Sequence, residues 1–312
     1  MDALAGLLEG PRAQGAFLLK VVMRAPWSLR IADEAPLAIF TVLDGTAWLD
    51  HPGLDAPVRL RPGDTVVARG PEHYTVADEP DRVPDMVIGP GGDCRDAAGN
   101  HLAEPLRLGV RTWGNDADGP TTILTGAYEL SGAVGGRLLR ALPPVLVLPP
   151  DDASAPLVTL LAAEVERDAP GQEVVLDRLL DLLLITVLRS WFARPQAHPP
   201  AWYAASADPV VGRALRLLHH NPAHPWTVAE LAVATGVSRA TLARRFTELV
   251  GEPPMAFLTG WRLALAADLL RDPDTTLATV ARRVGYGSPF ALSTAFKRTH
   301  GVSPRVHRAT PA

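Results

Sequence analysis

The sequence has little of what stabilises secreted or membrane-spanning proteins. Cys94 is the only cysteine in 312 residues, so no disulfide can form within the chain, as is typical of a reducing compartment. The longest apolar stretch, residues 179–192, is interrupted by Asp181 and Arg189 and is too short to span a bilayer. The first residues lack the basic segment and apolar run of a secretory signal. We therefore expect a cytoplasmic protein without membrane contact.

Positive charge is unevenly supplied and unevenly distributed. Lys20 and Lys297 are the only lysines, so arginine provides almost all of the basic side chains. From Pro209 to the end the chain has 13 basic and 6 acidic residues, whereas the first 208 residues have 17 and 28. The overall charge of −4 is thus the sum of an acidic N-terminal part and a basic C-terminal part. This asymmetry is expected of a two-part protein whose second part binds a polyanion.

The last third of the chain contains one residue pattern twice. Seven spaced positions return 49 or 50 residues later: Val228, Leu231, Ala232, Gly236, Ser238, Leu242 and Phe246 as Leu277, Val280, Ala281, Gly285, Ser288, Leu292 and Phe296. Two matching sets at this spacing indicate a duplicated structural element. A single copy would fit an ordinary helical hairpin in a core equally well. The duplication favours a repeated helix-turn-helix unit with a binding function.

The residue types in each copy predict two short helices joined by a sharp turn. Thr227 and Glu230 form the pattern of a capping box, which starts a helix. Gly236 suits the left-handed backbone that ends this helix, and Ser238 can cap the next one. The second helix leaves small residues and arginines outward, so it can enter a major groove of DNA.

A strongly periodic helix is predicted between the two copies, over residues 254–271. Phe257, Trp261, Leu265 and Leu269 recur every four residues along it. About 17 residues at ~1.5 Å each give a rod of roughly 25 Å. Such a rod can hold the second helices of the two copies on one face of a DNA duplex, on the order of one DNA turn apart.

The segment from about Asp208 to Arg308 resembles the DNA-binding domain of AraC/XylS-type bacterial transcription regulators. The resemblance rests on Trp-Thr-Val-Ala-Glu-Leu-Ala from Trp226, Gly-Val-Ser-Arg from Gly236, Val-Gly-Tyr-Gly-Ser from Val284 and Gly-Val-Ser-Pro from Gly301. In that family each recognition helix inserts into a major groove. Double-stranded DNA is therefore the implied partner, and RNA polymerase is a possible second one.

The resemblance also implies which residues contact DNA. Carried over by position, the base-facing residues are Ala240, Ala243 and Arg244 in the first helix and Pro289, Phe290, Ser293 and Thr294 in the second. Arg244 is the one long hydrogen-bond donor among them and can donate hydrogen bonds to the edge of a guanine base. Lys297 and Arg298 favour phosphates, and Arg239 also lies on the outward face.

The first half predicts many short antiparallel strands. Residues 37–43 and 46–49 look like one hairpin around Asp44-Gly45, and residues 58–60 and 65–68 look like a second. The order Leu-Asp-Gly, Arg-Pro-Gly-Asp and then a histidine resembles the cupin barrel that precedes the DNA-binding domain in one AraC subfamily. Two amphipathic helices follow. Their surplus apolar surface suits packing on the barrel or a second subunit, so a homodimer is expected.

These features together predict an α+β protein with an N-terminal all-β cupin-like barrel, a helical connector and a C-terminal all-α double helix-turn-helix domain. The regulatory domain is expected over 1–150, the connector over 151–205 and the DNA-binding domain over 206–312. The two helix-turn-helix motifs are expected at about 227–249 and 276–299.

Besides a regulator that binds a small effector, the sequence leaves two other functions open. Metal-dependent cupins take two histidines from a strand in which this chain has Ala38 and Phe40, so neither a metal nor another cofactor is expected. A looser metal site from His73, Cys94 and His101 is conceivable, which leaves a metal sensor or a cupin metalloenzyme with an accessory DNA-binding tail as the alternative. An architectural DNA-binding protein without any ligand is the third reading.

An apolar barrel pocket for an unknown small-molecule effector is the interpretation we favour. Aromatic residues and one histidine are its candidate lining: Trp48, His73, Tyr74, Trp113 and Tyr128. Aromatic residues in strands are more often plain core, so these residues are expectations only.

Overall fold

Short apolar segments between Gly, Pro and Asp clusters form the strands of the N-terminal half. The computed structural model describes residues 17–128, 132–194 and 199–309. The larger of the two sheets in this part of the chain has seven strands, in the order β10 (Arg107–Gly109), β11 (Thr112–Gly114), β1 (Phe17–Met23), β12 (Thr121–Tyr128), β3 (Leu37–Asp44), β6 (Thr65–Arg69) and β13 (Val145–Leu148).

The second sheet packs its apolar face against the first. Its order is β5 (Val58–Leu60), β4 (Ala47–Asp50), β7 (Tyr74–Ala77), β2 (Ser28–Ile31), β8 (Met86–Ile88) and β9 (Cys94–Asp96). Side chains from both sheets share one buried core, in which Met23, Trp27, Leu49 and Leu60 are 0–1% exposed. The architecture is the predicted β-rich domain, built of two packed sheets.

The two predicted hairpins are wrong, although their four strands exist. β3 pairs with β12 and β6, whereas β4 pairs with β5 and β7 in the other sheet. β5 and β6 are likewise in different sheets. Gly45 has a φ of 74°, and a Cβ there would lie 2.6 Å from the Pro120 carbonyl oxygen. The Asp44-Gly45 turn therefore passes the chain from one sheet to the other instead of closing a ladder.

Two helices after the last strand belong to this β-rich unit: α2 (Ala155–Val165) and α3 (Gln172–Phe192). The apolar stripe of α3 is buried within the chain, with Leu180 1%, Leu183 2% and Val187 1% exposed. The Tyr128 hydroxyl donates to the Leu180 carbonyl oxygen at 2.7 Å. Much of the apolar surface that suited either the barrel or a second subunit is therefore buried inside the protomer.

The remaining described residues, 132–141 and 199–309, form a second compact unit that is entirely helical. Its helices are α1 (Ala133–Ala141), α4 (Ala201–Ala205), α5 (Val211–His220), α6 (Val228–Thr235), α7 (Arg239–Val250), α8 (Pro254–Leu269), α9 (Leu277–Arg283), α10 (Pro289–His300) and α11 (Pro304–Ala309). None of the helices in the described residues combines the length and apolarity that a membrane span requires.

Helix α8 contributes to two apolar clusters at once. Phe257 and Leu258 pack with Phe246 in one cluster, whereas Leu263 and Ala266 pack with the second copy of the repeat in the other. A helix with buried residues all around its circumference is a central rod, not a surface element. The periodic helix predicted between the repeats is confirmed, and it ends two residues before the predicted boundary.

Candidate nucleic-acid interface

The first motif begins and ends through signals in its own sequence. Thr227 Oγ1 accepts the Glu230 backbone N–H at 3.1 Å, and Glu230 Oε2 accepts the Thr227 backbone N–H at 3.2 Å. This reciprocal capping box starts α6, as the sequence predicted. Gly236 ends the helix with a φ of 76°, a backbone conformation that costs glycine little.

Helix α7 is anchored by its inner face. Ser238 Oγ accepts the Thr241 N–H at 3.1 Å and starts the helix. Leu242 and Phe246 are both 0% exposed, and the Phe246 ring lies 5.8 Å from the ring of Phe257 on α8. Burying side chains of this size contributes roughly 1.5–3 kcal/mol each. The anchored inner face fixes which residues of α7 point to solvent.

The second motif repeats this construction. Thr276 Oγ1 accepts the Thr279 N–H at 3.2 Å to start α9, and Ser288 Oγ accepts the Ala291 N–H at 3.1 Å to start α10. Leu292 and Phe296 are 0% exposed, as are their counterparts in α7. The duplication read from the sequence is confirmed as two helix pairs of the same design.

One arginine of α8 connects the two motifs. Arg262 Nε donates to the Pro222 carbonyl oxygen at 2.6 Å, and its Nη2 donates to the His224 carbonyl oxygen at 2.7 Å. Gly285, in the turn of the second motif, has a φ of 81°, and a Cβ there would lie 2.6 Å from the Ala223 carbonyl oxygen. Residues 222–224 are thus held against both α8 and the second turn. We call this arrangement the Arg262 clamp.

The outer face of α7 contains the predicted DNA-contacting residues of the first motif. Arg239, Ala240 and Arg244 are exposed, and Ala243 is half-buried. Arg244 Nη1 donates to both carboxylate oxygens of Glu248, at 2.9 and 3.0 Å. Such an exposed pair, four residues apart on a helix, contributes only about 0.3–0.5 kcal/mol, so Arg244 can exchange Glu248 for another acceptor at small cost.

Arg245 is another of the α7 arginines that the sequence analysis expected to point outward, but it binds Asp208 instead. Its Nε and Nη2 donate to Asp208 Oδ2 at 2.9 and 2.5 Å. Asp208 Oδ1 also accepts the N–H groups of Val210 and Val211, each at 2.9 Å. Burial alone would raise the pKa of Asp208, but these hydrogen bonds hold it below its ordinary value. Arg245 therefore positions α7 against the start of α5.

The outer face of α10 is more apolar. Phe290 is 81% exposed in its first turn. Pro289 and Thr294 are also exposed, whereas Ser293 is half-buried. Lys297 and Arg298 are exposed in the last turns of the same helix. The two recognition helices therefore present different chemistry: arginine and alanine on α7, an aromatic ring and small residues on α10.

The five candidate effector residues do not form one cluster. Tyr74 and Trp113 are buried together in the core between the sheets. Trp48 lies on the opposite face of β4 from the buried Ala47 and Leu49, and His73 is exposed. The Tyr128 side chain is buried against α3, as described above. The structure brings two of the five together.

A buried histidine that the sequence analysis missed lies beside Tyr74. His51 is 1% exposed, and its ring centroid is 5.8 Å from that of Tyr74. His51 Nδ1 accepts the Gly53 N–H at 2.9 Å, so Nε2 is the protonated nitrogen of the neutral ring. Burial lowers the pKa of His51. Nε2 has no hydrogen-bond partner among the described residues. His51-Pro52-Gly53 reads as a turn, so no sequence signal marked it.

The looser metal set is not assembled. His73 is exposed, and the Cys94 thiol is buried, which raises its pKa to about 11. His101 Nδ1 is hydrogen-bonded to Asp93 Oδ1 at 2.9 Å. Within the described ranges no three His, Cys, Asp or Glu side chains are grouped so that they could hold a metal ion.

A two-sheet β domain joined to a duplicated helix-turn-helix unit defines a class of DNA-binding regulators, and the comparisons agree. A cupin family profile matches residues 2–193, and a helix-turn-helix domain profile matches residues 231–310. A putative AraC-like transcription regulator of Streptomyces lividans is 32% identical over 315 residues, covering 100% of this chain and 99% of that protein. One from Streptomyces antibioticus is 34% identical with the same coverage.

The chain therefore belongs to the AraC family of transcription regulators, in the group with an N-terminal cupin domain. Among solved structures, the DNA-binding domain of AdpA in complex with a target DNA is 36% identical, covering 33% of this chain and 92% of that one, with a TM-score of 0.31. The regulator expected from the sequence is confirmed at the level of family, and nothing in the comparisons favours an enzyme.

The Arg262 clamp predicts a stability effect. Arg262→Ala should lower the free energy of unfolding of the helical unit by about 1.5–3 kcal/mol, because hydrogen bonds from charged groups contribute that much and two carbonyls lose their donor. Arg271→Ala, an exposed arginine just beyond α8, is the matched control and should stay within about 0.5 kcal/mol of wild type. Urea unfolding followed by helical circular dichroism measures both. Equal effects of the two variants would contradict the clamp.

Proposed function

We propose that this AraC-family regulator binds DNA with α7 and α10 in successive major grooves. The observation that carries the proposal is the Arg262 clamp, which together with α8 holds the two recognition helices in one unit. Their outer faces are exposed, and the chain from Pro209 onward has 13 basic against 6 acidic residues. A fixed pair of helices on a basic unit suits a polyanion with regularly spaced grooves.

The individual contacts follow from side-chain chemistry. Arg244 has the reach and donors for a guanine edge, and Ala240 and Ala243 allow close approach of the helix to the base pairs. The exposed Phe290 ring suits apolar contact with thymine methyl groups. The remaining proposed contacts are to phosphates or to groove shape, from Arg239, Pro289, Ser293, Thr294, Lys297 and Arg298.

Arg244→Ala should weaken binding to a preferred duplex by about 1–3 kcal/mol and relax the preference at one base pair. Lys297→Ala, the control, should weaken binding to all sequences alike and reduce the salt slope by about one unit. The probe is the duplex that full-length wild type enriches from a random-sequence pool, with a scrambled duplex beside it.

Three outcomes of this experiment are decisive. Loss of preference in Arg244→Ala alone supports the assigned role. An equal loss of affinity for preferred and scrambled duplexes would make Arg244 a phosphate contact. Failure of wild type to enrich any sequence would overturn sequence-specific binding itself.

The N-terminal domain is proposed to bind a small effector between its two sheets, near Tyr74, Trp113 and His51. A buried ring nitrogen without a partner is costly, by about 1–3 kcal/mol, and a bound acceptor would remove that cost. We propose no catalytic role and no cofactor. The single buried thiol and the DNA partner fit a cytoplasmic protein, and RNA polymerase is a further proposed partner for a regulator of this family.

A homodimer is proposed through the outward faces of α2 and α3. Leu160, Val175 and Leu182 are 47%, 44% and 46% exposed there, whereas Leu183 and Val187 are buried inside the protomer. Apolar side chains that remain exposed on adjacent helices suit burial against a second copy.

Val175→Asp combined with Leu182→Asp should therefore shift the sedimentation profile of the full chain from dimer to monomer, because burying two carboxylates is costly. Val233→Asp is the control: this valine is 83% exposed on α6, and the change should leave the profile unchanged. A monomeric wild type at micromolar concentration, or a double variant that stays dimeric, would refute this interface.

A further inference from the structure

Helix α1 has an unusual place in the chain. It lies between β12 and β13, which are both strands of the seven-stranded sheet, yet it belongs to the compact unit formed by the C-terminal helices. Residues 129–132 connect it to β12, and residues 142–144 connect it to β13. The chain therefore leaves the β-rich unit for one short helix and then returns to it.

The start of α1 is bound by a carboxylate of α8. Asp268 Oδ1 accepts the Ala133 N–H at 2.6 Å, and Asp268 Oδ2 accepts the Val134 N–H at 3.1 Å. These are backbone donors that the first turn of a helix leaves without partners, so Asp268 caps α1 from 134 residues away. Gly132 has a φ of 125°, a backbone conformation that favours glycine, and a Cβ there would lie 2.6 Å from Asp268 Oδ1.

The middle of α1 packs on the aromatic side of α8. The Arg137 guanidinium carbon lies 5.6 Å from the centroid of the Phe257 ring and 5.9 Å from that of Trp261, within the range of cation–π attraction. Val134 is 2% exposed and packs with Trp261 and Ala264. The contact thus extends along α8 from Phe257 to Asp268, which is about three helical turns.

The contact between α1 and α8 also has an energetic cost. Burial lowers the pKa of Arg137 and raises that of Asp268, which are the signs of two charges held partly out of water. The Trp261 indole Nε1 is buried without a hydrogen-bond partner among the described residues. Desolvated charges and an unpaired donor offset much of the gain from apolar burial. The net stabilisation from this contact is therefore smaller than its apolar burial alone would give.

The chain just after α1 is hydrogen-bonded to β6 of the β-rich unit. The Arg69 backbone N–H donates to the Pro144 carbonyl oxygen at 2.8 Å, and Arg69 Nη1 donates to the Leu142 carbonyl oxygen at 2.8 Å. A Cβ on Gly53 would lie 2.9 Å from Pro144 Cβ, and Gly53 is the residue whose N–H binds the buried His51. A displacement of the His51 turn or of β6 would therefore move the residues that lead out of α1.

We propose that α1 is a coupling clasp, by which the state of the β-rich domain controls how well the helical unit binds DNA. Helix α8 spaces the two recognition helices. Docking of α1 orders α8 before DNA binds. Ordering that has already occurred need not be paid for on binding, so the docked state has the higher DNA affinity. The inference rests on the proposed DNA-binding function and adds its regulation.

The test compares two arginines of the same helix in the full chain. Arg137→Ala removes the contact with Phe257 and Trp261, whereas Arg140→Ala changes an exposed arginine one turn later. Fluorescence anisotropy with the enriched duplex should show at least about fivefold weaker binding for Arg137→Ala, a typical lower bound for coupling between sites. Arg140→Ala should stay within about twofold of wild type.

A second measurement on unmodified protein guards against a variant that misfolds. Linkage is reciprocal, so DNA must favour docking if docking favours DNA. Amide exchange at Ala133 and Val134, the two donors to Asp268, should slow when wild type binds the duplex.

Unchanged exchange at these two amides would overturn the clasp, as would an Arg137→Ala variant that is folded and binds DNA as well as or better than wild type. A wild-type chain that binds no duplex would instead refute the proposed DNA-binding function.

Discussion

The geometry of the helical unit depends on one guanidinium group. Arg262 lies on the central helix α8 and binds two carbonyl oxygens of the loop that leads into the first motif. The same loop approaches the second motif so closely that only glycine fits at position 285. Because both motifs meet at this point, the separation of α7 and α10 is a property of the packed unit and not of a flexible connection. Every proposed role in DNA recognition presupposes that fixed separation.

The outer faces of the two recognition helices differ in their chemistry. α7 presents Arg244 in an exposed ion pair that is easily exchanged, whereas Arg245 is committed to Asp208 and holds the helix in place. α10 instead presents an exposed Phe290 ring. A duplicated scaffold with the same N-cap residue types and the same buried anchors thus presents a hydrogen-bonding outer face on α7 and an apolar one on α10. The first suits a specific base edge, and the second suits methyl groups and groove shape.

Local signals made the helical unit predictable, and long-range pairing made the β-rich unit less so. Thr227, Ser238 and Gly236 act on their own neighbours, so their caps and turns could be read from the sequence alone. The hairpin expected at Asp44-Gly45 failed because strand pairing is decided by which sheet buries each face. The attachment of α1 to Asp268, the Arg245–Asp208 pair and the burial of His51 also depend on residues distant in sequence, and no local pattern marks them.

If α7 and α10 bind DNA as one rigid pair of helices, the affinity must depend on the spacing of the two DNA segments that they contact. Affinity of the full chain should be measured for a series of duplexes in which one to five base pairs are inserted between the segments contacted by α7 and α10. About five base pairs turn the second groove to the opposite side of the duplex, because one helical turn is about 10–10.5 base pairs. A rigid pair should show a steep loss of specific affinity with the first insertions and only non-specific binding at five. Affinity that is independent of the inserted length would contradict it.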